Sequence, residues 1–456
     1  MKVYSFPRGG VSYEDRTAPR QDSGTIAFLP TISIIPLVQN EGGRVQAVVS
    51  IGDTVKEGML IGWGHANVHA TVPGRVIRRV FWKNACDQEI EALVIRMGGS
   101  FEKLGKKEEL FPWEGLSSHD LRRIVSDYGV VEMEGSGRPL ADMLSLRTGG
   151  RENRSLVVRC VFDDPWLAAD HTLCRERSMA VVEGSFIAAK MAGVNRLVFA
   201  FSRRELELGR QFLQQAGGIL SEGGPIPVSL VITGTRYPQR NRRELEIALR
   251  NYEKRELTSL GSLMILGPAT LAAIYDAVRL RKPVLDRYIA VGGSAVKKPQ
   301  VMRVRIGTRI GEVFAECGGF VDKPRRIASG SPLQGRIIMD LDEPVMKTTY
   351  AAFAMLDSRA GFFNQQNCIG CGECRVVCPV GLDPEELYKK IGRNPPAGQN
   401  CHGCGCCELV CPSRLPLASA IYAAQGATQG VAQGAAAQAT QGAAQKAPQG
   451  VAQGAP

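Results

Sequence analysis

Eight of the chain's 13 cysteines fall in two runs of identical spacing. The first is CIGCGECRVVCP, Cys368 to Pro379, and the second is CHGCGCCELVCP, Cys401 to Pro412. Each reads C-x2-C-x2-C-x3-C-P, giving Cys368, Cys371, Cys374 and Cys378, then Cys401, Cys404, Cys407 and Cys411. This spacing holds [4Fe–4S] clusters, with the fourth cysteine of each run ligating the other run's cluster. Three thiolates close in sequence wrap one face of a cube. A fourth, on a turn stiffened by proline, closes the cage from the other run. The expected sets are Cys368, Cys371, Cys374 and Cys411 for one cluster, and Cys401, Cys404, Cys407 and Cys378 for the other. Zinc and disulfides are the alternatives, but a zinc site has no use for a doubled run followed by proline. Cys406 breaks no spacing and reads as a bystander thiol. His402 is placed to hydrogen-bond near a cluster, since four thiolates already fill the ligand set.

The remaining cysteines, Cys86, Cys160, Cys174 and Cys317, show no pairing pattern, so the chain is expected in a reducing cytoplasm. The start, MKVYSFPRGG, lacks the apolar core of a secretory signal. No stretch of about 18 apolar residues is present to span a bilayer. A formal charge of +11 is compatible with a solvated basic surface. It also fits a surface that meets acidic electron carriers or an anionic membrane face. Nucleic-acid binding is not expected, because the basic residues are scattered and few aromatics lie among them.

At 456 residues the chain should hold about three or four domains before the cysteine runs are positioned. Residues 1–28 read as an irregular arm. From Thr31 to Met97 short β-type runs are broken by glycines, with turns at Gly52-Asp53 and Pro73-Gly74. The signatures GDTVKEG and ATVPGRV resemble the barrel-sandwich fold of lipoyl and biotin carrier domains. The carriers' lysine hairpin has no counterpart here, so no swinging arm is expected, and His65 and His69 read as structural or surface residues. Between Ser117 and Leu280, strand patterns such as SLVVRCVF alternate with helical ones such as SMAVVEGSFIAAKMAG, predicting a mostly parallel α/β domain. Ligands of such sheets bind at the carboxyl ends of the strands. From Val284 to Val345 the short β runs return as a small mixed β unit. After about Ala423 an Ala/Gln/Gly repeat has no large apolar side chains for a core and reads as a disordered tail.

Together these segments resemble the RnfC family, the peripheral iron–sulfur subunits of Rnf electron-transport complexes. The resemblance rests on FPRGGV; GDTVKEGMLIG with VHATVPGRV; DPWLAADHTL; ATLAAIYDAV; RYIAVGGSAVKKPQVMRVRIGT with ECGGF; and both cysteine runs, ending CPSRLPL. It implies a multidomain α/β and β protein. The expected parts are an N-terminal arm and barrel-sandwich-like domain (1–115), a Rossmann-like α/β FMN/NADH domain (116–281) and an SLBB β-grasp domain (282–350). A two-cluster ferredoxin-like α domain (351–423) and the tail (424–456) complete the chain.

The family's ligand loops have changed in this sequence. Where members carry G-x-G-G-A-x-F-P to cradle flavin and nicotinamide, the chain has Glu132-Met133-Glu134-Gly135-Ser136-Gly137-Arg138-Pro139. Glycines there let backbone approach phosphate, and a carboxylate in their place repels it by about 1 kcal/mol or more at short range. The N-G-A-E-C-E-P motif is Arg159-Cys160-Val161-Phe162-Asp163-Asp164-Pro165, with Asp164, Pro165, Asp170 and His171 retained. Y-P-Q-G-G-E is Tyr237-Pro238-Gln239-Arg240-Asn241-Arg242, and an expected Asn is Gly267 while Thr270 remains. Gly135, Gly137, Asp164 and Thr270 are the remnants of a flavin/NADH site. His171 reads as a satisfied structural histidine, and Arg240, Arg242 and Arg243 as a solvated helix start, with phosphate binding as the alternative.

The leading expectation is an electron-transfer subunit. It would relay single electrons through two [4Fe–4S] clusters, with the FMN and NADH site lost and no catalytic residue of its own. Expected partners are the membrane subunits of an Rnf-like complex and a ferredoxin-type or other redox protein, with the chain peripheral on the cytoplasmic face of the inner membrane. An FMN-dependent NADH reductase of the cobalamin-reductase type, housed in a microcompartment, is the second possibility. A non-enzymatic iron–sulfur adaptor is the third.

Overall fold

The computed structural model describes residues 2–19, 24–39, 43–83, 89–101, 108–144, 153–223, 226–356, 365–391 and 401–425. The chain forms two compact units, Met1–Phe6 with Val11–Ser358, and Pro7–Gly10 with Arg359–Pro456. Among the described residues no helix is long and apolar enough to cross a membrane. Cys86 and residues 426–456 of the expected tail lie outside the described residues.

Within the larger unit, the first β region is a sandwich of two antiparallel sheets. One orders Ile32–Pro36, Glu89–Met97, Gly74–Lys83 and Thr54–Val55, and the other Val45–Ala47, Leu60–Gly64 and Val68–His69. Alternate residues of Glu89–Met97 face opposite sides, so Leu93 and Ile95 join Ile35, Val55, Ile61 and Val76 in one apolar core while Ala92 and Val94 are buried with Ile34 on the other face. Lys347 stitches this sandwich to the α/β domain. Its buried Nζ donates to Asn67 O at 3.0 Å and to Gly129 O at 2.8 Å, and burial pushes its pKa down to about 7.

The α/β domain carries a four-stranded, wholly parallel sheet in the spatial order Val228–Thr233, Arg196–Ser202, Arg154–Cys160, Ser262–Leu266. In chain order this is 3-2-1-4, so the direction of winding reverses between Arg154–Cys160 and Ser262–Leu266. That reversal opens a crevice at the carboxyl ends of these two strands. The helices Ser178–Ala192, Leu206–Gly223 and Pro268–Arg279 cover one face, and Arg242–Glu256 packs its Leu245, Ala248 and Leu249 on the other. The Ser178–Ala192 helix stops at Gly193, which takes the left-handed conformation at φ 59°.

The second β region is a six-stranded mixed sheet packed on the helix Ile310–Glu316. It differs from expectation at both ends. Gly24–Ile26, expected in an irregular arm, is an edge strand parallel to Gln300–Arg305. Ala351–Met355, expected beyond a boundary at 350, lies inside the sheet between Asp286–Gly292 and Arg326–Ser329. Both are short segments whose partners are distant in sequence, so no local period marks them.

The helix that opens onto the crevice is held by a very close contact. A Cβ on Gly184 would stand 2.1 Å from Leu271 O, so the helices Ser178–Ala192 and Pro268–Arg279 touch through backbone there. Gly184→Ala is expected to lower the unfolding free energy by about 1–3 kcal/mol, as overpacking does. Urea unfolding followed by far-UV circular dichroism measures this. A variant as stable as the parent would mean that the two helices can separate freely.

Candidate functional site

The cysteine-rich unit builds two cavities from two local repeats. In the first run Gly370 and Gly372 take left-handed φ values of 68° and 75° before a short helix, Glu373–Val376. In the second, Gly403 and Gly405 do the same at 64° and 81° before Cys406–Leu409. Side chains cannot easily follow that path, so glycine at these matched positions bends each run into a loop. One cavity is lined by Cys368, Cys371, Cys374 and, from the other run, Cys411. A second is lined by Cys401, Cys404, Cys407 and, from the first run, Cys378. These are the two sets that the spacing assigns to the two clusters.

Among the described residues no three Cys, His, Asp or Glu side chains converge as they would on a single metal ion. The thiols stand around a volume instead, which suits a multi-atom cluster better than one zinc at about 2.3 Å from each sulfur. Backbone amides already point at two of them, Gly370 N to Cys368 Sγ at 3.4 Å and Leu382 N to Cys378 Sγ at 3.2 Å. Such donors stabilise thiolate charge and tune cluster potentials. Cys368 and Cys371 are exposed, whereas Cys378, Cys404 and Cys407 are buried, so the first set of thiols is the more exposed. Cys406, expected to be a bystander, is fully buried and lines the second cavity, where its thiol hydrogen-bonds to that of Cys404. His402 lines the same cavity.

The crevice of the α/β domain is a different case. The carboxylate of Glu134 sits on the first turn of the Pro268–Arg279 helix. There Oε1 accepts from Thr270 N at 3.0 Å and Oε2 from Thr270 Oγ1 at 2.5 Å. Thr270 Oγ1 in turn accepts from Met133 N at 2.9 Å. A helix N-terminus presents unpaired N–H groups and the positive end of the helix dipole, so it binds anions. Here the anion is the protein's own side chain. Gly267 makes room for it, because a Cβ there would lie 2.4 Å from Glu134 Cδ.

The neighbouring loop is closed by Glu132. Its carboxylate accepts from Ser136 N at 2.6 Å, Ser136 Oγ at 3.0 Å and Glu134 N at 3.1 Å. Burial, then the proximity of Glu134, raises its pKa. Balancing charge comes from arginines. Arg240 Nη2 reaches Asp170 Oδ2 at 3.2 Å, and the charge of Arg159 and Arg287 is felt by the same carboxylates. Burial lowers Arg159 to about 10 and also lowers Arg287, while the acids oppose that shift.

The predicted remnants land here with other partners. Gly137, at φ 62°, donates its N–H to Glu132 O, and Gly135 is exposed on the same turn. Thr270 is taken by Glu134. Asp164 caps the Pro165–Leu167 turn through Trp166 N at 3.0 Å, and burial pushes it up to about 6. Among the histidines, His171 is buried with Nε2 2.9 Å from Glu205 Oε2, and His65 lies 3.3 Å from Asp142. His69 is buried against Tyr128, and burial lowers it to about 3. The arginine trio read as a solvated helix start divides. Arg242 and Arg243 do flank the helix entry beside Glu246 and Glu244, but Arg240 turns inward to Asp170. The inward turn follows from Asp163, whose Oδ2 accepts from Arg240 N at 3.0 Å. Cys160 and Cys174, without a pairing pattern in sequence, meet with sulfurs 3.8 Å apart.

Reasoning from the sequence missed the Glu134–Thr270 bond. The available signal was that Glu replaces a loop glycine while Gly replaces the helix-entry Asn, which is a compensating exchange of volume. Glu134→Gln, which keeps the shape and removes the charge at the helix N-terminus, is expected to cost about 1–2 kcal/mol in urea unfolding.

Asp163 provides a pH test. Burial pushes its carboxyl up to about 7 from 3.8, so between about pH 4 and 7 the folded chain binds more protons than the unfolded one. This group's contribution is therefore most favourable below pH 4 and is lost as pH rises to 7. The stability of Asp163→Asn relative to the parent should rise across that window in urea midpoints, and parallel curves would remove the assignment.

Comparison with known proteins follows the same divisions. Residues 4–100 match the RnfC barrel sandwich hybrid domain, and 125–276 the Nuo51 FMN-binding domain. Residues 288–340 match the SLBB domain and 360–446 the 4Fe-4S dicluster domain. A subunit of the ion-translocating oxidoreductase complex of Rhodobacter capsulatus is 29% identical over 374 residues, 80% of this chain and 70% of that protein. A subunit of the Na(+)-translocating ferredoxin:NAD(+) oxidoreductase complex of Acetobacterium woodii is 26% identical over 377 residues, covering 80% and 82%. The matching subunit of the proton-translocating ferredoxin:NAD(+) oxidoreductase complex of Clostridium ljungdahlii is 28% identical over 390 residues, 83% of each. Among solved structures, a NAD+-reducing [NiFe]-hydrogenase in the H2-reduced state has a related fold. Its TM-score is 0.51 at 14% identity, over 70% of this chain and 63% of that one. Four domains in the family's order, and relatives 26–29% identical that align over about four fifths of the sequence, make the chain similar to the RnfC family along most of its length.

Proposed function

We propose that this chain is the peripheral electron-transfer subunit of an Rnf-type complex, carrying single electrons through two [4Fe–4S] clusters without a flavin entry point. The observation that carries the reading is the pair of cavities, each ringed by three thiols of one run and the fourth of the other. Cys368, Cys371, Cys374 and Cys411 would hold one cluster, and Cys401, Cys404, Cys407 and Cys378 the other. Bound clusters supply one-electron transfer. The chain's own part is to hold the thiols apart, to donate Gly370 N–H and Leu382 N–H to sulfur, and to exclude water with Leu415, Leu417 and Ala418. The partners proposed are the membrane subunits of such a complex and a ferredoxin-type carrier, with the chain on the cytoplasmic face.

The residues present do not fit FMN. Its phosphate would meet the Glu134 carboxylate at the helix N-terminus, and the former glycine loop spends its N–H groups on Glu132. Repulsion between such groups in a partly buried crevice outweighs the one hydrogen bond that a Thr270 hydroxyl could return. Purified anaerobically, the protein is expected to contain about eight iron atoms per chain and two interacting EPR signals on reduction. Acid release should yield FMN near zero. Cys371→Ser and Cys404→Ser should each remove one signal. Zinc without iron would sink the proposal.

The match of residues 125–276 to an FMN-binding domain favours a second reading, an FMN-dependent NADH reductase of the cobalamin-reductase type. Stoichiometric FMN on acid release, with NADH-dependent bleaching of the clusters, would establish it.

A further inference from the structure

We propose that the N-terminal tetrapeptide Pro7–Gly10 belongs to the protein shell of the second cluster, with Arg8 placing a positive charge on the turn that presents Cys378. This rests on the two-cluster reading above. The tetrapeptide packs with the cysteine-rich unit, although the residues on both sides of it pack elsewhere. Gly10 N donates to Val377 O at 2.9 Å. Gly9, at φ 66°, lies flat on the next peptide. A Cβ there would stand 2.6 Å from Cys378 O, 2.7 Å from Cys378 C and 2.8 Å from Val377 O. No side chain can replace it without moving the backbone that carries the Cys378 thiol.

Arg8 stands on the other side of the same turn. The turn is Cys378-Pro379-Val380-Gly381, closed by Gly381 N to Cys378 O at 3.1 Å and followed by Leu382 N to Cys378 Sγ. Gly381 is left-handed at φ 74°, and the place of its absent Cβ is filled by a guanidinium. Arg8 Cζ is 2.4 Å from that point, and Nη2 and Nη1 are 2.5 and 2.6 Å from it. The matching turn of the second run is Cys411-Pro412-Ser413-Arg414, closed by Arg414 N to Cys411 O at 3.1 Å, with Arg414 left-handed at φ 54°. So the second run carries an arginine in its own sequence at the position where the first has glycine. In the first run an arginine arrives from more than 360 residues upstream. Each cysteine-proline turn thereby has one arginine.

A cation beside a thiolate-ligated cluster favours the reduced, more negative form and raises its potential. Arg8 is exposed, so the effect must weaken with salt. Gly9 and Gly10 position Cys378, and Arg8 tunes the group that Cys378 helps to hold.

The test uses the full-length holoprotein in EPR-monitored redox titrations at low and high ionic strength. Arg8→Gln should move one midpoint to a more negative value and leave the other in place. The moved signal should be the one that Cys378→Ser abolishes. Arg8→Lys should keep the parental value, and the shift should shrink at high salt. Gly9→Ala should bring iron from about eight toward about four atoms per chain. If Arg8→Gln leaves both midpoints unmoved, or moves both equally, with iron content and urea midpoint at parental levels, the proposal falls and the two-cluster reading stands. Parent protein without iron would instead refute the two-cluster reading.

Discussion

Everything in the cysteine-rich unit depends on the exchange of one thiol between the two runs. Neither cavity is complete from its own repeat. The first needs Cys411 and the second needs Cys378, each delivered by a cysteine-proline turn. Filling one cavity therefore orders the turn that the other one uses, so each site favours the assembly of its neighbour. Among the described residues the unit buries only a small apolar set, Val377, Leu387, Leu415, Leu417, Ala418 and Ile421 beside Cys374 and Cys407, so metal–sulfur bonds would supply much of the ordering free energy. The same logic gives Gly9 its importance, because a shift of the Val377–Cys378 peptide reaches one site directly and the other through the shared framework.

The α/β domain solves an opposite problem. Its sheet order creates a crevice and a free helix N-terminus regardless of whether a ligand is present, and unpaired N–H groups there must be satisfied. In this chain Glu134 satisfies them from within, Gly267 gives it space, and Asp170 with Arg240 carries the charge balance. A buried ion network of this kind contributes little net stability, since desolvation of each charge offsets most of the attraction. Its consequence is occupancy: the Glu134 carboxylate already takes the Thr270 N–H and hydroxyl that an incoming anion would use. On the proposed function the domain serves as scaffold, which accounts for how a fold can stay intact while its ligand loops change.

Legibility in the sequence followed the range of the interaction. The two thiol sets were readable because spacing within each run is local and the crossing of the fourth ligand is a property of the motif. The alternating strands and helices of 154–279 were readable from their periods. Gly24–Ile26 and Ala351–Met355 were not, because their pairing is with strands far away in the chain. At the crevice the substitutions themselves were visible as losses, a carboxylate where phosphate should sit. That Glu134 and Thr270 would bond, or that Arg240 would turn inward while Arg242 stayed at the surface, depends on side-chain directions that no linear pattern encodes.

The closed crevice and the paired cavities constrain each other chemically. A flavin is the usual means of dividing a two-electron hydride into single electrons, so on the proposed function a chain with two one-electron centres and no flavin would receive electrons already separated. That reading calls for a one-electron carrier as the donor. It also gives the exposure of two thiols of the first set a meaning. Cys368 and Cys371 are exposed, and Ile369 between them is 70% exposed, whereas the thiols of the second cavity are mostly buried. A carrier can come close to the first site with an apolar contact at its centre and little protein in between. The second, with the Cys378 turn held by Gly9 and Gly10, is better shielded from solvent and better suited to hold an electron than to meet a partner.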